Sequence, residues 1–295
     1  MSFALSEKTI SMDERNTEPV EEVQLDLFGL DRIKLGEGYA ALSRLDLDRA
    51  ASIFNGLIQG NPDFDDARQG FVMAAAWSDI LWESETRGPQ AAVAFLWEKI
   101  QSSSFGRWGG GLRAALIRKL IGLIGDDARF YVPPVLCLGF LWFELSDFER
   151  AEDAYRRLLD KQPNDARLVC RLGNSLFLQG RRSEARRWYA QALLASPHDV
   201  APDELEDAIL RSVIKESGVC MAPVYGWLRD ALPLVDNVDT QSKDEEHAKA
   251  LRIYRAVLLA EAARKKREHR DMVEKRRNLK EIAPEVFEEY IARLA

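Results

Sequence analysis

The stretch LCLGFLWFELSDFERAEDAYRRLLDKQP, residues 136–163, returns 34 residues later as CRLGNSLFLQGRRSEARRWYAQALLASP. Gly139 recurs as Gly173, Ala151 as Ala185, Tyr155 as Tyr189 and Pro163 as Pro197. A period of this length is one helix–turn–helix unit. Such a unit cannot bury its apolar face alone and is stabilised by stacking on its copies. The recurring small residues let the two helices of a unit approach closely, and the tyrosines are expected to fill the space between neighbouring units. The prolines end the second helix. Leu138 with Trp142, and Leu172 with Leu176, supply the i, i+4 apolar stripe of the first helix.

These residues resemble the tetratricopeptide repeat (TPR) family. That family places Leu-Gly at repeat positions 7–8, an aromatic residue at 11, Gly at 15, Ala at 20, an aromatic at 24 and Pro at 32. A unit starting at Ala166 matches with Leu172, Gly173, Leu176, Gly180, Ala185, Tyr189 and Pro197, and one starting at Val132 with Leu138, Gly139, Trp142, Ser146, Ala151, Tyr155 and Pro163. A degenerate copy at 31–64 keeps Gly38, Ala50, Phe54, Leu57 and Pro62 but carries Glu37 and Ala41 at positions 7 and 11. The resemblance implies an all-α, TPR-like right-handed α-α superhelix, a helical-hairpin solenoid with extra C-terminal helices. Its expected parts are a disordered acidic tail at 1–23 and TPR-like repeats over 24–200, clear at 132–199 and irregular at 65–131. Capping helices at 201–240 follow, then a long basic helix and a C-terminal helix within 241–295. Helices are expected to start at Pro89, to end at Gly125, to begin at APDELED, and to run unbroken from about Glu245 to Glu281. No stretch alternates like a strand.

The chain has 295 residues, 46% hydrophobic and 30% charged, with a formal charge of −7, so nucleic acid is not the expected partner of the molecule as a whole. Cys137, Cys170 and Cys220 form no CxxC pair and suit a reduced cytoplasmic setting as plain buried thiols. No apolar run reaches membrane-spanning length. His198, His247 and His269 are scattered without a second ligand at metal spacing, and no nucleophile motif occurs. The expectation is a non-catalytic chain with no cofactor and no metal site.

In the TPR family the first helix of each repeat lines a groove, which here implies Leu136, Phe140, Phe143, Arg167, Arg171, Asn174 and Phe177. Arg167, Arg171 and Asn174 follow i, i+4, i+7 spacing and share one face. Two guanidiniums and an amide there suit an acidic or carboxylate-bearing peptide. Pairing of both arginines with acidic groups on a neighbouring helix is the equal alternative. Leu136 and Phe140 stand where the chaperone-binding subclass has Lys and Asn, so a partly apolar partner segment is expected instead.

Two features lie outside the repeats. Gln24, Leu25, Asp26, Leu27 and Phe28 are similar to the short peptide by which many bacterial proteins dock on the DNA polymerase sliding clamp. Packing of Leu25 and Phe28 onto the first repeat is the competing reading. Residues 264–280 hold nine Lys or Arg against three acidic residues. That segment is a solvated helix face, a face paired with the protein's own acidic surface, or a contact for an acidic partner or nucleic acid.

Overall fold

The computed structural model describes residues 20–127, 129–236 and 242–294, the side chains of residues 20–28 excepted. The chain divides into two compact units, one ending at Leu116 and the other beginning at Ile117. Both are built from antiparallel helical hairpins.

The first unit opens with helices α1 (Val20–Leu42) and α2 (Leu47–Gly60), joined by a short turn. Phe54 of α2 is fully buried over glycine: a Cβ on Gly38 of α1 would lie 2.5 Å from its ring. Helix α3 (Asp65–Glu85) packs on the other side, where a Cβ on Gly70 would meet the same ring at 2.5 Å. The repeat packing therefore continues past Asp65, where the residue pattern fails. Its glycine has moved two places, from the eighth to the sixth position, while Val72 at the eighth is 65% exposed. Helix α4 (Pro89–Ser102) starts at its proline and buries Ala92, Val93, Leu96 and Ile100. Helix α5 (Gly110–Ile124) runs across the division between the units.

The second unit contains the two clear repeats. Before them, Tyr131–Val132 (β1) and Leu136–Cys137 (β2) form a two-residue antiparallel ladder, pairing Tyr131 with Cys137 and Val132 with Leu136. This corrects the strand-free expectation. Pro134 disfavours helical backbone at Pro133, and the two prolines lie in the turn between β1 and β2, so no helix begins at repeat position 2. The first helix of this repeat, α6 (Leu138–Glu144), is correspondingly short. Helices α7 (Phe148–Leu159), α8 (Ala166–Leu178) and α9 (Arg182–Ala195) complete the hairpins, with Asp147 and Asp165 capping α7 and α8.

The tyrosines work inside their own hairpins, not only between units. A Cβ on Gly139 would lie 2.6 Å from the Tyr155 ring, and one on Gly173 2.6 Å from the Tyr189 ring. Between repeats, nearly buried Glu152 of α7 accepts hydrogen bonds from Gln179 (2.9 Å) and Arg181 (2.7 Å) and pairs with Arg156 (2.9 Å). Burial works against the Glu152 charge, but these donors outweigh it and hold the carboxyl below its ordinary range.

The turn between the helices of each hairpin uses the left-handed region at repeat position 15. Leu45, Ser146 and Gly180 have φ of 59°, 60° and 82°. The degenerate copy thus keeps the same turn with a leucine in it. A left-handed non-glycine residue costs about 1 kcal/mol. Ser146→Gly, on an exposed turn, is expected to raise stability by up to that amount, as read from the urea midpoint.

After the repeats come two 3-10 turns, Pro197–Asp199 and Pro202–Glu204. Helix α10 (Ala208–Ser217) starts six residues later than the acidic-proline signal suggests, capped by Asp207. Helix α11 (Ala222–Leu228) is short, and α12 (Glu245–Lys266), α13 (His269–Ile282) and α14 (Pro284–Leu294) close the unit. The expected single helix over 245–281 is broken at Arg267, which takes a left-handed φ of 62°. The break lets Leu251, Tyr254, Val257 and Ala260 of α12 share one core with Leu279, Val286 and Tyr290 from the returning helices. A straight helix would leave that stripe uncovered.

Candidate partner-binding surface

Helix α8 places Arg167, Arg171 and Asn174 on one face as the spacing predicts, but the chain itself meets them there. Arg167 reaches Asp199 at 2.7 Å and Arg171 reaches Glu204 at 3.3 Å. Asn174 is only 5% exposed. Its amide nitrogen donates to the Glu204 carbonyl at 2.7 Å, and its oxygen accepts from the Glu206 backbone N–H at 3.2 Å. The Tyr189 hydroxyl donates to that oxygen at 2.7 Å. Val200, Leu205 and Asp207 of the covering segment are buried. An acidic stretch, VAPDELED, which includes the 3-10 turn Pro202–Glu204, lies along the face where an acidic peptide was expected.

The remaining groove positions divide. Leu136 lies in β2 and is buried with Cys137, so neither faces a groove. Phe140, Phe143 and Phe177 are half-buried. The Arg171 guanidinium sits 5.1 Å from the Phe140 ring centroid and that of Arg182 sits 5.4 Å from Phe177. Phe143 meets Phe148 edge-on at 5.4 Å, and Leu178 beside Phe177 is 40% exposed. Arg171 thus faces the Phe140 ring beside its pair with Glu204, and Arg182 faces Phe177.

The family pattern assigned Arg167, Arg171 and Asn174 as contacts without indicating that residues 199–206 fold back on them. The signal available was the acidic run that follows the second repeat, read there as a helix start. Gln24–Phe28 lie on the α1 backbone, but their side chains are outside the described residues. In the basic segment, Arg264 pairs with Glu261 at 2.6 Å and Lys275 with Asp271 at 3.5 Å. Lys265, Lys266, Arg267, Arg270 and Arg277 are exposed. Arg264, Lys265 and Lys266 occupy the last turn of α12, where cations complement the helix dipole.

All three cysteines are free and buried. His247 is buried and engaged at both ring nitrogens, by Leu194 carbonyl and Ser242 hydroxyl oxygens at 3.1 Å each. Among the described residues, His198, Cys220 and Asp244 are the set whose donor atoms converge as a metal ion requires. They are too far apart in sequence for any spacing rule to join them. Among the described residues no helix is long and apolar enough to cross a membrane.

The model of a tetratricopeptide repeat family matches residues 143–206, from α6 through the covering segment. This chain carries tetratricopeptide repeats. Residues 193 in number align at 25% identity with a peroxisomal targeting signal receptor of Saccharomyces cerevisiae, covering 63% of this chain and 29% of that protein. The receptor of the same description from Candida glabrata is 30% identical over 86 residues, 29% of this chain and 15% of that protein. The chain thus spans less than a third of the length of these yeast relatives. No solved structure matches it. The repeats are all-α hairpins of a kind that serves protein–protein interaction, and the matched stretch includes α8, its covering segment and Phe177.

Proposed function

We propose that the protein is a non-catalytic interaction scaffold whose repeats hold a segment of a partner protein against the strip formed by Phe140, Phe143, Phe177 and Leu178. One observation carries this reading: Asn174 and the two arginines already hold an acidic segment of the chain itself, by two backbone hydrogen bonds and two carboxylate contacts. The groove chemistry is that of peptide recognition, and its occupied end leaves the aromatic strip as the place for another chain. The strip favours an apolar segment, and Arg182 at its edge favours an acidic residue beside it. The relatives are by their names receptors for a targeting signal, which supports recognition of a segment rather than of a whole folded surface.

Because Arg167 and Arg171 are occupied, reversing their charge tests the covering segment more than partner capture. The decisive experiment places a photo-reactive residue at Phe177 and, as a control, at exposed Arg187 on the outer face of α9. Cross-linking in the native cell should yield a discrete partner from position 177 that is reduced at least tenfold by Phe143→Asp. Equal products from both positions, with circular dichroism unchanged, would remove the strip from consideration.

Docking of Gln24–Phe28 on a DNA polymerase sliding clamp is the second reading of the sequence. The relatives lend it no support, and α1 would have to unwind over those residues to present an extended peptide.

A further inference from the structure

The 3-10 turn after α9, the turn before α11 and the start of α12 bring three different donor types to one point. His198 projects from the first, Cys220 from the second and Asp244 from the third. His198 Nε2 lies 2.8 Å from Asp244 Oδ2 and 3.7 Å from Cys220 Sγ. All three donor atoms lie within 4.8 Å of one another. We propose that His198, Cys220 and Asp244 bind one divalent transition-metal ion of the zinc class, with a solvent molecule in the fourth position.

The geometry fits such an ion. With zinc–nitrogen and zinc–oxygen bonds of about 2.0–2.2 Å and zinc–sulfur of about 2.3 Å, tetrahedral donors stand roughly 3.3–3.7 Å apart. The sulfur–nitrogen separation already falls there, the nitrogen–oxygen pair need open only slightly, and the sulfur–oxygen pair, within 4.8 Å, closes onto the ion as it binds. Thiolate and imidazole favour zinc or cobalt over magnesium or calcium. A thiolate and a carboxylate balance the charge of the dication, and the thiol proton passes to solvent on binding.

A cysteine–histidine relay does not account for the cluster. In a relay the carboxylate holds one ring nitrogen while the other serves the nucleophile. Here the carboxylate and the sulfur both face Nε2, so they surround a common point. The supports are also in place. Asp244 Oδ1 accepts from the Glu246 backbone N–H at 3.1 Å as the cap of α12, which leaves Oδ2 for the ion. Ser196 donates to Asp199 at 2.8 Å across the turn that carries His198. Cys220 is buried, while the His198 side chain is 59% exposed, so the open position faces water. The ion would clasp the end of the second repeat to α11 and α12.

The test uses the full chain, stripped with a chelator under reducing conditions and titrated with cobalt(II). One equivalent should bind with thiolate-to-cobalt charge-transfer absorption and tetrahedral ligand-field bands, and zinc should displace it. Cys220→Ser should abolish the charge-transfer band, and Cys137→Ser should leave it intact. His198→Ala and Asp244→Asn, the latter keeping a good helix cap, should each weaken zinc binding by more than about tenfold. Zinc should raise the melting temperature of the wild type and not of His198→Ala. Absence of the charge-transfer band in the folded wild type, or its persistence in Cys220→Ser, would overturn the proposal.

Discussion

Tyr189→Ala should lose about 4 kcal/mol of stability, a large share of a total on the order of 5–15 kcal/mol. The ring is 1% exposed and lies against Gly173, which has no side chain with which to refill the space. The hydroxyl adds a second loss. It donates to Asn174, whose remaining hydrogen bonds hold the Glu204 carbonyl and the Glu206 N–H. Tyr189→Phe isolates that part and should cost about 1 kcal/mol. Gly173→Ala should destabilise the wild type, because its Cβ would press on the ring, yet restore part of the loss in Tyr189→Ala, where the space is empty. That sign change is a coupling that only direct contact produces. Urea unfolding followed by circular dichroism measures all four proteins. Additive effects, or a Tyr189→Ala cost near 1 kcal/mol, would show that the tyrosine–glycine contact does not hold the hairpin together.

The hairpins were legible because their determinants are local and repeat. Glycine under an aromatic ring, alanine at the crossing and proline at the end each appear at fixed offsets. Where a determinant moved, the pattern was lost but the packing was not: Gly70 meets Phe54 from the sixth position, and Leu45 takes the turn conformation that Gly180 takes in the second repeat. Local signals with two readings misled. The basic run at the end of α12 marks a helix terminus as readily as a charged surface, and no glycine or proline stands at Arg267 to decide between them. Pro133 and Pro134 stood inside an otherwise good repeat, and the turn they make between β1 and β2 shortened its first helix. Least legible was everything that joins distant residues. Pairing of Arg167 and Arg171 within the chain was open as an alternative, but with a neighbouring helix, whereas the acidic groups come from the 3-10 turns after the second repeat. The convergence of His198 with Cys220 and Asp244 depends on three turns whose relative placement only the folded unit supplies. One helix therefore sufficed to place Arg167, Arg171 and Asn174 on a common face, while what covers that face could not be read from it.

That covering segment is anchored at its far end by a buried ion pair, and Arg186→Ala should release it at a cost of about 3–5 kcal/mol. Asp207 is 1% exposed. Its Oδ1 caps α10 by accepting from Ile209 and Leu210 N–H at 3.0 and 3.3 Å, while Oδ2 accepts from Arg186 Nε at 2.8 Å. Arg186 Nη1 also donates to the Asp230 carbonyl at 3.1 Å, so one guanidinium on α9 ties the start of α10 to the turn after α11. Removing the arginine leaves a carboxylate buried without its cation, which is why the loss should exceed that of a surface pair. Asp207→Asn keeps an oxygen for the cap and leaves a partly exposed arginine that water can reach, so its cost should be nearer 1–2 kcal/mol. Arg186→Met combined with Asp207→Asn removes both charges and should recover most of the stability lost by Arg186→Ala. If the segment is held over α8 chiefly from this end, Arg186→Ala should also speed hydrogen exchange at the Glu206 N–H, which Asn174 otherwise protects. An unchanged exchange rate there, in a variant that still folds, would mean that Asn174 and the buried Val200 and Leu205 hold the segment without help from the ion pair.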